Sequence, residues 1–451
     1  MRLLRLTVMT LRLAISRFGA GWMFALLTFN FNRITIADLG AIAVIVTSLI
    51  GLHHFISFFQ IYWGRLADQH PIFGYRRTPY IILSGLGSSL IFLLLPSISV
   101  GLGARDLMAT IEAFGLIAFF GLMMALNGSS SNALIAEVTD EKNRGVVIAV
   151  IWAAIIISGI ISAAVSQQLM PVYSHEAMVQ LYSLTPIVVL VTTLVGILGI
   201  ERRISPAEHA AILAAQPQER SSPFASFRIA GRMMRSNLQV RGFFFFVMLA
   251  IMGVFLQDAI LEPFGAQVFN MSQAETSRFQ QSWGAGALLG MLLIGTISSF
   301  FPIAKKSLAI LGGLIIATSL AIIAIAGLTH QGMLINPALL LLGLGIGSFN
   351  IGALSMMMEM TIEGQTGLFM GIWGMAQGLG NGVANILSGA LLTLLVESGL
   401  LSTTIGYSLI FGVEALIMVV AIGILRSVSV QEFKGLTRKE LGTALAMDTA
   451  N

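Results

Sequence analysis

The chain has no cysteine and few charged residues. Because cysteine is absent from all 451 residues, disulfides, iron–sulfur clusters and thiolate metal sites are excluded. Charged residues make up only 10% of the chain, against about 25% in an ordinary soluble domain. Hydrophobic residues reach 56%, above the roughly 45–50% that is usual. This composition predicts an integral membrane protein.

Motifs for catalysis are also missing. The six histidines are scattered, and no two of them have the i, i+4 spacing that places two imidazoles on one face of a helix. No glycine-rich Walker loop occurs, so nucleotide-dependent chemistry is not indicated. The sequence therefore predicts neither an enzyme nor a metal held directly by the protein.

Long apolar runs with few charged residues recur along the chain. Each run is long enough to cross a hydrocarbon core of roughly 30 Å as a helix. Twelve such runs occur, at about residues 15–35, 40–62, 80–100, 108–133, 145–169, 178–200, 241–268, 280–300, 305–328, 333–358, 368–396 and 402–426. The pattern predicts an all-α integral membrane protein with twelve transmembrane helices.

The distribution of Lys and Arg predicts the orientation. With both termini in the cytoplasm, 22 of the 25 basic residues lie inside, and only Arg33, Arg105 and Arg278 lie outside. The basic pI then follows from membrane orientation and does not indicate a nucleic-acid partner. The arginine-rich start lacks a short apolar core followed by a cleavage site, so we expect an interfacial lead-in and not a signal peptide.

The longest polar interruption divides the chain into two halves. We expect an N-terminal six-helix bundle at 1–200, a cytoplasmic linker at 201–240, a C-terminal bundle at 241–427 and a cytoplasmic tail at 428–451. The frame E-x-T-x-E-x-x-x-G occurs once in each half, at Glu137–Gly145 and Glu359–Gly367, 222 residues apart. Each copy precedes a tryptophan, Trp152 or Trp373. A parallel repeat of two six-helix halves is typical of major facilitator transporters.

The loop between the second and third runs is similar to a loop found in that superfamily. It reads "GRLADQHPIFGYRRTPY", residues 64–80. Gly64 permits close helix approach, and Asp68 favours the positive end of a helix. Gly74 precedes Arg76 and Arg77, which can bind carboxylates. We therefore expect the major facilitator fold, with these five residues as a cytoplasmic gating loop.

Four further stretches resemble the PucC-type bacteriochlorophyll delivery family, in its cyanobacterial-like branch. They are "NRITIADLG" (32–40), "GYRRTPY" (74–80), "LQDAILEPFGAQVF" (256–269) and "GLFMGIWGMAQGLGNG" (367–382). The resemblance implies a thylakoid or other photosynthetic membrane protein that handles chlorophyll or bacteriochlorophyll. Light-harvesting or photosystem apoproteins are the implied partners, and carotenoid or lipid is a further implied ligand.

Two carboxylates inside the seventh run are expensive to place in lipid and are functional candidates. Asp258 and Glu262 are four residues apart, which on a continuous helix places them on one face. We expect an ion pair with Arg33 near the outer end of span one. Contact with pigment or substrate, together with Gln257, and proton coupling are the two alternatives.

Two more groups of candidates lie in spans two and eleven. His53 or His54 could hydrogen-bond a neighbouring helix, and His53 could instead be an axial ligand to a pigment magnesium. In span eleven, glycines at four-residue spacing predict close helix packing. The alternative is a flat slot for a tetrapyrrole, with Trp373 stacking and Gln377 or Asn381 as a polar contact.

Three functions are consistent with these features. The first is a membrane carrier or assembly factor that supplies chlorophyll-type pigment to apoproteins. The second is a secondary transporter of another small amphiphile, coupled to protons through Asp258 or Glu262. The third is a non-transporting scaffold that holds nascent antenna helices.

Overall fold

The computed structural model describes residues 2–56, 59–209, 231–235, 237–301, 303–361 and 366–434. Most of the predicted linker, 210–230, and most of the predicted tail, 435–451, lie outside the described residues. Over the described ranges the chain is helical, and pairing of extended backbone is limited to one bridge between Ile72 and Tyr75. The all-α prediction is confirmed.

The helices before the linker cover the first six predicted runs. They are α1 (Arg2–Ser16), α2 (Phe18–Ala25), α3 (Ala43–Ile56), α4 (Gln60–Gln69), α5 (Thr78–Leu90), α6 (Leu95–Gly103), α7 (Leu107–Val138), α8 (Glu141–Leu169) and α9 (His175–Ile197). Two π-helical segments continue α2, π1 (Leu26–Phe31) and π2 (Ile34–Asp38).

The helices after the linker cover the remaining six runs. They are α10 (Leu238–Phe255), α11 (Leu261–Phe269), α12 (Gln273–Phe300), α13 (Lys305–Leu328), α14 (Ile335–Glu359), α15 (Thr366–Leu392) and α16 (Thr403–Ser427). A third π-helical segment, π3 (Thr393–Glu397), continues α15.

Eight helices of the described chain are each long and apolar enough to cross a membrane. They are α7, α8, α9, α10, α13, α14, α15 with π3, and α16. A ninth span forms if the pair Thr78–Leu93 and Leu95–Gly103, bent by 44°, is taken together. The other predicted runs are also helical, but they are interrupted or more polar: α2 with π1, α3 with α4, and α12.

Span seven is broken, and this corrects the expected placement of its two acids. The helix α10 ends at Phe255 and α11 begins at Leu261, with turns between them. Asp258 lies in this break while Glu262 lies in the first turn of α11, so the two do not share the face of one helix. The cause is Pro263, whose ring clashes with the carbonyl four residues earlier and removes a backbone donor.

Contacts divide the chain into two compact units. Unit one contains Met1–Gln216, Asp258–Gly284 and Asn385–Tyr407, and unit two contains Pro217–Gln257, Ala285–Ala384 and Ser408–Asn451. The expected boundaries of two six-helix bundles stay a prediction.

Within unit one, distant parts of the sequence satisfy each other's helix ends. The first backbone N–H groups of α3 are donors that no helical carbonyl can accept. The Ala43 N–H donates to Glu397 Oε1 at 2.9 Å, and the Val44 N–H donates to Thr393 Oγ1 at 3.1 Å. The π3 segment therefore caps α3 across more than 300 residues of sequence.

Within unit two, glycines bring α13 and α14 into backbone contact. A Cβ atom on Gly312 would lie 2.4 Å from the Phe349 nitrogen, and one on Gly352 would lie 2.4 Å from the Ala309 nitrogen. Small residues allow this close approach, which replaces the hydrophobic driving force that lipid removes.

Candidate functional site

A small polar chamber lies inside unit one, around Glu262. Its volume is about 10 Å³, enough for the centre of about one water. Its polar lining comes from span one, α8, α11 and α12, and consists of Asn30, Ser162, Ser166, Glu262, Ser277 and Gln280. We call this group of residues and the space between them the Glu262 chamber.

Two of the chamber's polar residues, Asn30 and Ser166, are tied to each other by a hydrogen bond. The Asn30 amide donates to Ser166 Oγ at 2.7 Å, and the Tyr182 hydroxyl donates to Asn30 Oδ1 at 3.1 Å. Two acceptor atoms differ, because Glu262 Oε2 and Gln280 Oε1 are buried and have no hydrogen-bond partner among the described residues. Buried polar atoms without a partner are costly, so these two oxygens mark the chamber as a candidate site.

Arg33 forms its ion pair with a residue that the sequence reading did not name. The guanidinium contacts the Asp38 carboxylate and also donates to the Met271 carbonyl at 3.0 Å. Glu262 remains within electrostatic reach of Arg33. The hydrogen-bond partner of the Glu262 carboxyl is the Thr276 hydroxyl. The charge of Arg33 is thus balanced first by Asp38, on the same chain segment.

Asp258 and Gln257 lie in the break of span seven, and both are buried. Within unit two, the Gln257 N–H donates to Glu414 Oε1 at 3.0 Å. Glu414 on α16 is fully buried, and the sequence reading missed it. Its carboxylate accepts from a backbone N–H inside the break between α10 and α11, so this acid stabilises the break.

His53 is held in a defined tautomer near the end of α3. Its Nδ1 lies 2.5 Å from the Ile50 carbonyl, so in the neutral ring Nδ1 carries the proton and donates it. The His54 ring lies against the His53 ring, with 3.9 Å between their centroids. The Phe120 ring packs against the His53 ring in an edge-to-face arrangement, with 5.8 Å between their centroids. Within the described chain, His53 Nε2 has no hydrogen-bond partner.

The candidates on α15 are separated by the structure into two faces. Trp373 is fully buried, packs edge-on against Phe243 and donates its Nε1–H to the Met360 carbonyl at 3.0 Å. This geometry contradicts the expected stacking role of Trp373, because neither face of the indole is open. The physical reason is that the indole N–H needs a buried acceptor, and the end of α14 supplies one.

The other face of α15 is open. Gly371 and Gly374 are exposed, and a Cβ atom on either would meet no other atom within 4 Å. Gln377 and Asn381, half-buried, continue the same face at helical spacing. The Gln377 amide lies 3.7 Å from Met357 Sδ, and the Asn381 amide donates to the Gln377 carbonyl at 3.2 Å. We call these four residues the α15 strip.

The loop between α4 and α5 gathers the predicted gating residues into one network. Arg77 Nη2 lies 2.5 Å from Asp68 Oδ1 and 2.9 Å from Glu137 Oε1, and Arg76 Nη2 lies 3.1 Å from Glu137 Oε1. Glu201 accepts from the backbone N–H groups of Arg76, Arg77 and Thr78 at 2.6–2.9 Å. This carboxylate caps the positive end of α5.

The two glycines predicted for the gating loop, Gly64 in α4 and Gly74 after it, have different uses. Gly74 has a backbone φ of +81°, which residues with a side chain rarely adopt. A Cβ atom at this position would lie 2.9 Å from Arg203 Cγ. Gly64 faces α7, with Ser129 Cβ 4.0 Å from where its Cβ would be. Gating itself stays a prediction.

Sequence reasoning missed most of the Glu262 chamber. Its other polar residues, Asn30, Ser162, Ser166, Ser277 and Gln280, are neutral, and the reading of intramembrane polar groups concentrated on ionisable and glycine-rich positions. The side-chain amides of Asn30 and Gln280, which lie inside apolar runs, were the sequence signal that could have identified this site. In the described part of the chain, no group of three or more His, Asp or Glu could hold a metal ion.

Known proteins resemble this chain over nearly its whole length. The "Bacteriochlorophyll synthase 44.5 kDa chain" of Rhodobacter capsulatus is 27% identical over 418 residues, covering 91% of this chain and 92% of that protein. The "Protein PucC" of Rhodovulum sulfidophilum is 24% identical and covers 84% of each chain. The cyanobacterial-like branch stays a prediction.

Solved transporter structures share the fold. A POT family transporter in complex with a thioalcohol-conjugated peptide has a TM-score of 0.66 and 14% identity, covering 94% of this chain and 96% of that one. The xylose transporter XylE from E. coli, in an inward open conformation, has a TM-score of 0.65 and 13% identity, covering 91% and 95%. The major facilitator fold is therefore confirmed, and the chain is a multi-pass membrane protein.

The family is shown by a family model. The model described as "PUCC protein" matches residues 30–433, which include the Glu262 chamber, His53 and the α15 strip. This chain therefore belongs to the PUCC protein family.

Proposed function

We propose that the protein binds a magnesium tetrapyrrole of the chlorophyll or bacteriochlorophyll type and delivers it to light-harvesting or photosystem apoproteins. Family membership and the name of the Rhodobacter capsulatus relative support a pigment-related role. The observation that carries the proposal is His53 Nε2, which has no hydrogen-bond partner among the described residues. Location in a thylakoid or other photosynthetic membrane, with both termini in the cytoplasm, is part of the same proposal.

His53 has the features of an axial ligand to magnesium. A histidine that binds a metal through one nitrogen commonly donates its other N–H to a carbonyl or carboxylate, which orients the ring. The Nδ1–H of His53 donates to the Ile50 carbonyl in this way. The lone pair of Nε2 is then available to a metal, and His53 is only half-buried.

The α15 strip supports the proposal from a second place. Gly371 and Gly374 leave no side chain on the open face, and Gln377 and Asn381 carry amides along its edge. A planar macrocycle can lie flat against backbone where side chains are missing, and an amide can donate to its peripheral carbonyl groups. Such a strip needs no charge, which agrees with the low charge content of the chain.

Pigment binding by the purified full chain tests the proposal. The protein, in mild detergent, is titrated with a chlorophyll-type pigment and, in parallel, with the same pigment from which magnesium has been removed. We expect saturable binding of the magnesium pigment, seen as a shifted absorption band. His53→Ala should weaken binding of the magnesium pigment about 10-fold or more and leave binding of the metal-free pigment unchanged.

His54→Ala is the matched control, because it removes the neighbouring imidazole and keeps the His53 ring with its hydrogen bond to the Ile50 carbonyl. Equal losses for both variants, or for both pigments, would contradict axial ligation by His53. Failure of the unaltered protein to bind either pigment would contradict the proposed function. A colourless protein that takes up another amphiphile would be an ordinary carrier.

The α15 strip has its own test. Gly374→Leu places a bulky side chain on the open face, and we expect it to reduce pigment binding several-fold by steric exclusion. Gly412→Leu on α16 is the control, because Gly412 is also exposed with open space around its Cβ position. Equal pigment binding by the two variants would contradict a role for the strip.

The proposal does not include catalysis. One relative carries the word synthase in its name, so the point is open to experiment. Bound pigment should be recovered chemically unchanged after incubation, by chromatography. Conversion of the pigment to a product by the purified protein would contradict the non-enzymatic role.

A further inference from the structure

The Glu262 chamber contains two oxygen atoms that need donors. Gln280 Oε1 can only accept hydrogen bonds, and so can Glu262 Oε2 while the carboxyl is ionised. Neither oxygen has a partner among the described residues. The two residues are 2% and 3% exposed, so bulk water does not satisfy them. The chamber itself has room for about one water.

An ionised Glu262 would lack a counter-charge of its own. The nearest cation is Arg33, whose guanidinium is ion-paired with Asp38 and also donates to the Met271 carbonyl. One positive charge therefore faces two carboxylates. Burying an uncompensated carboxylate is costly, and the cost is removed when the group takes up a proton or another cation.

The remaining polar groups around Glu262 cannot supply that charge. The Thr276 hydroxyl contacts the carboxyl, and the Tyr182 hydroxyl on α9 acts on it electrostatically but donates to Asn30. Asp258, upstream in the break, is a second acid and would add negative charge. No arrangement of these neutral or acidic groups balances an ionised Glu262.

A proton on Glu262 removes the uncompensated charge, and one water then completes the hydrogen bonds of both orphaned oxygens. On protonation Glu262 Oε2 becomes an O–H donor, and a single water in the chamber can accept from it and donate to Gln280 Oε1. We propose that Glu262 is a proton-binding site, and that the chamber water connects its carboxyl to the Gln280 amide. The proton binds to a carboxylate oxygen and leaves through the same water, so no other reactant is needed.

This site would let a carrier respond to protons. Ionisable groups buried in membrane spans serve as proton relays in pumps and transporters. The chamber joins spans one, five, seven and eight within unit one, so a change in the charge of Glu262 acts where several helices meet. The inference does not depend on pigment binding.

A sodium ion is the competing occupant. Hard cations take about six oxygen ligands, but several chamber oxygens already have other bonds. Ser166 Oγ accepts from Asn30, and Ser277 Oγ donates to the Gln273 carbonyl. Two free oxygens make a poor sodium site and a sufficient proton site.

Infrared difference spectroscopy of the full chain in lipid vesicles tests the inference. On moving from neutral to alkaline pH, we expect loss of a carbonyl band from a protonated carboxyl group, with a shift of this band in heavy water. The band should be absent in Glu262→Gln and unchanged in Glu275→Gln. Glu275 is the matched control on α12, because its hydrogen bonds from Ser272 hold its pKa below the ordinary value and keep it ionised.

Gln280→Leu gives a second, independent test. This variant removes the acceptor at the far side of the water, so the Glu262 band should persist at a shifted frequency, while Gln281→Leu should leave it in place. Absence of any band that depends on Glu262 would overturn the inference. Loss of the band on adding sodium chloride at constant pH would also overturn it, in favour of a metal-cation site. If Glu262→Gln fails to fold, the Gln280→Leu and sodium measurements still decide the question.

Discussion

The two copies of the repeated motif are held by different interactions. In unit one, the first acid of the motif, Glu137, belongs to a network with Asp68, Arg76 and Arg77. In unit two, the corresponding Glu359 forms one ion pair with Lys305, and both side chains are more than a third exposed. Each copy thus joins the end of the fourth span to the loop before the third span of its half.

The comparison shows that a repeated motif can place an acid at the same point of each half while the stabilisation from that acid's contacts differs between the halves. Both acids find a basic partner from the equivalent loop, as a parallel duplication predicts. The first copy gains a second arginine, Asp68 and the helix cap from Glu201. The tryptophans that follow the motif differ even more, since Trp152 is 52% exposed and Trp373 is fully buried.

The tryptophan pair gives the largest expected effect. Trp373→Ala leaves a cavity beside Phe243 and removes the hydrogen bond to the Met360 carbonyl. We expect a loss of about 3 kcal/mol in the free energy of unfolding. Trp152→Ala should cost well under half of that, because the exposed side chain leaves no internal cavity. Unfolding in denaturant with a mild detergent measures both, and equal losses would contradict the burial difference.

The network in unit one gives the next effect. Arg77 is buried and contacts two acids, so Arg77→Ala would leave Asp68 and Glu137 with less compensation at the end of α7. We expect a loss of roughly 2–3 kcal/mol in unfolding free energy. Arg77→Lys should recover only part of it, because a lysine cannot repeat the planar contacts. Full recovery by lysine, measured by the same unfolding curves, would show that charge alone is sufficient.

The helix cap by Glu201 gives a smaller effect. Glu201→Ala removes the acceptor for three backbone N–H groups at the start of α5, and we expect a loss of about 1–2 kcal/mol. Glu201→Gln keeps one carbonyl oxygen and should lose less. Glu112→Ala is the control, because Glu112 is an exposed acid on α7 that lies away from the start of any helix. A loss for Glu112→Ala as large as that for Glu201→Ala would argue against capping.

The sequence predicted most of the fold because apolar length and a repeated motif are local signals. In the described residues, each of the twelve apolar runs is mostly helical, and the first acids of the two motif copies, Glu137 and Glu359, lie at the ends of α7 and α14. The break in span seven was not predicted. Pro263 is visible in the sequence, but a helix can end inside the membrane only where tertiary partners such as Glu414 accept from the backbone N–H groups of the break.

The candidate site was predicted only in part. Glu262 was identified as a buried acid, but its chamber depends on Asn30, Ser166 and Gln280, which are far apart in the sequence. Arg33 was paired with span seven because spans one and seven are expected to meet near their outer ends, whereas the π2 segment brings Asp38 close to it. A π-helical turn changes which side chains align, and periodicity cannot predict it.

The ion pair in unit two gives the smallest expected effect, and measuring it tests directly whether the two motif copies contribute differently to stability. Lys305 and Glu359 are both substantially exposed, and exposed pairs contribute only about 0.2–1 kcal/mol. Lys305→Ala should therefore lower the unfolding free energy by less than about 1 kcal/mol, and the loss should shrink as salt is added. Lys306→Ala is the neighbouring control, because Lys306 donates to the Arg426 and Val428 carbonyls at the end of α16 instead of pairing with this acid. A loss for Lys305→Ala as large as that for Arg77→Ala would mean that the second copy depends on its ion pair as strongly as the first.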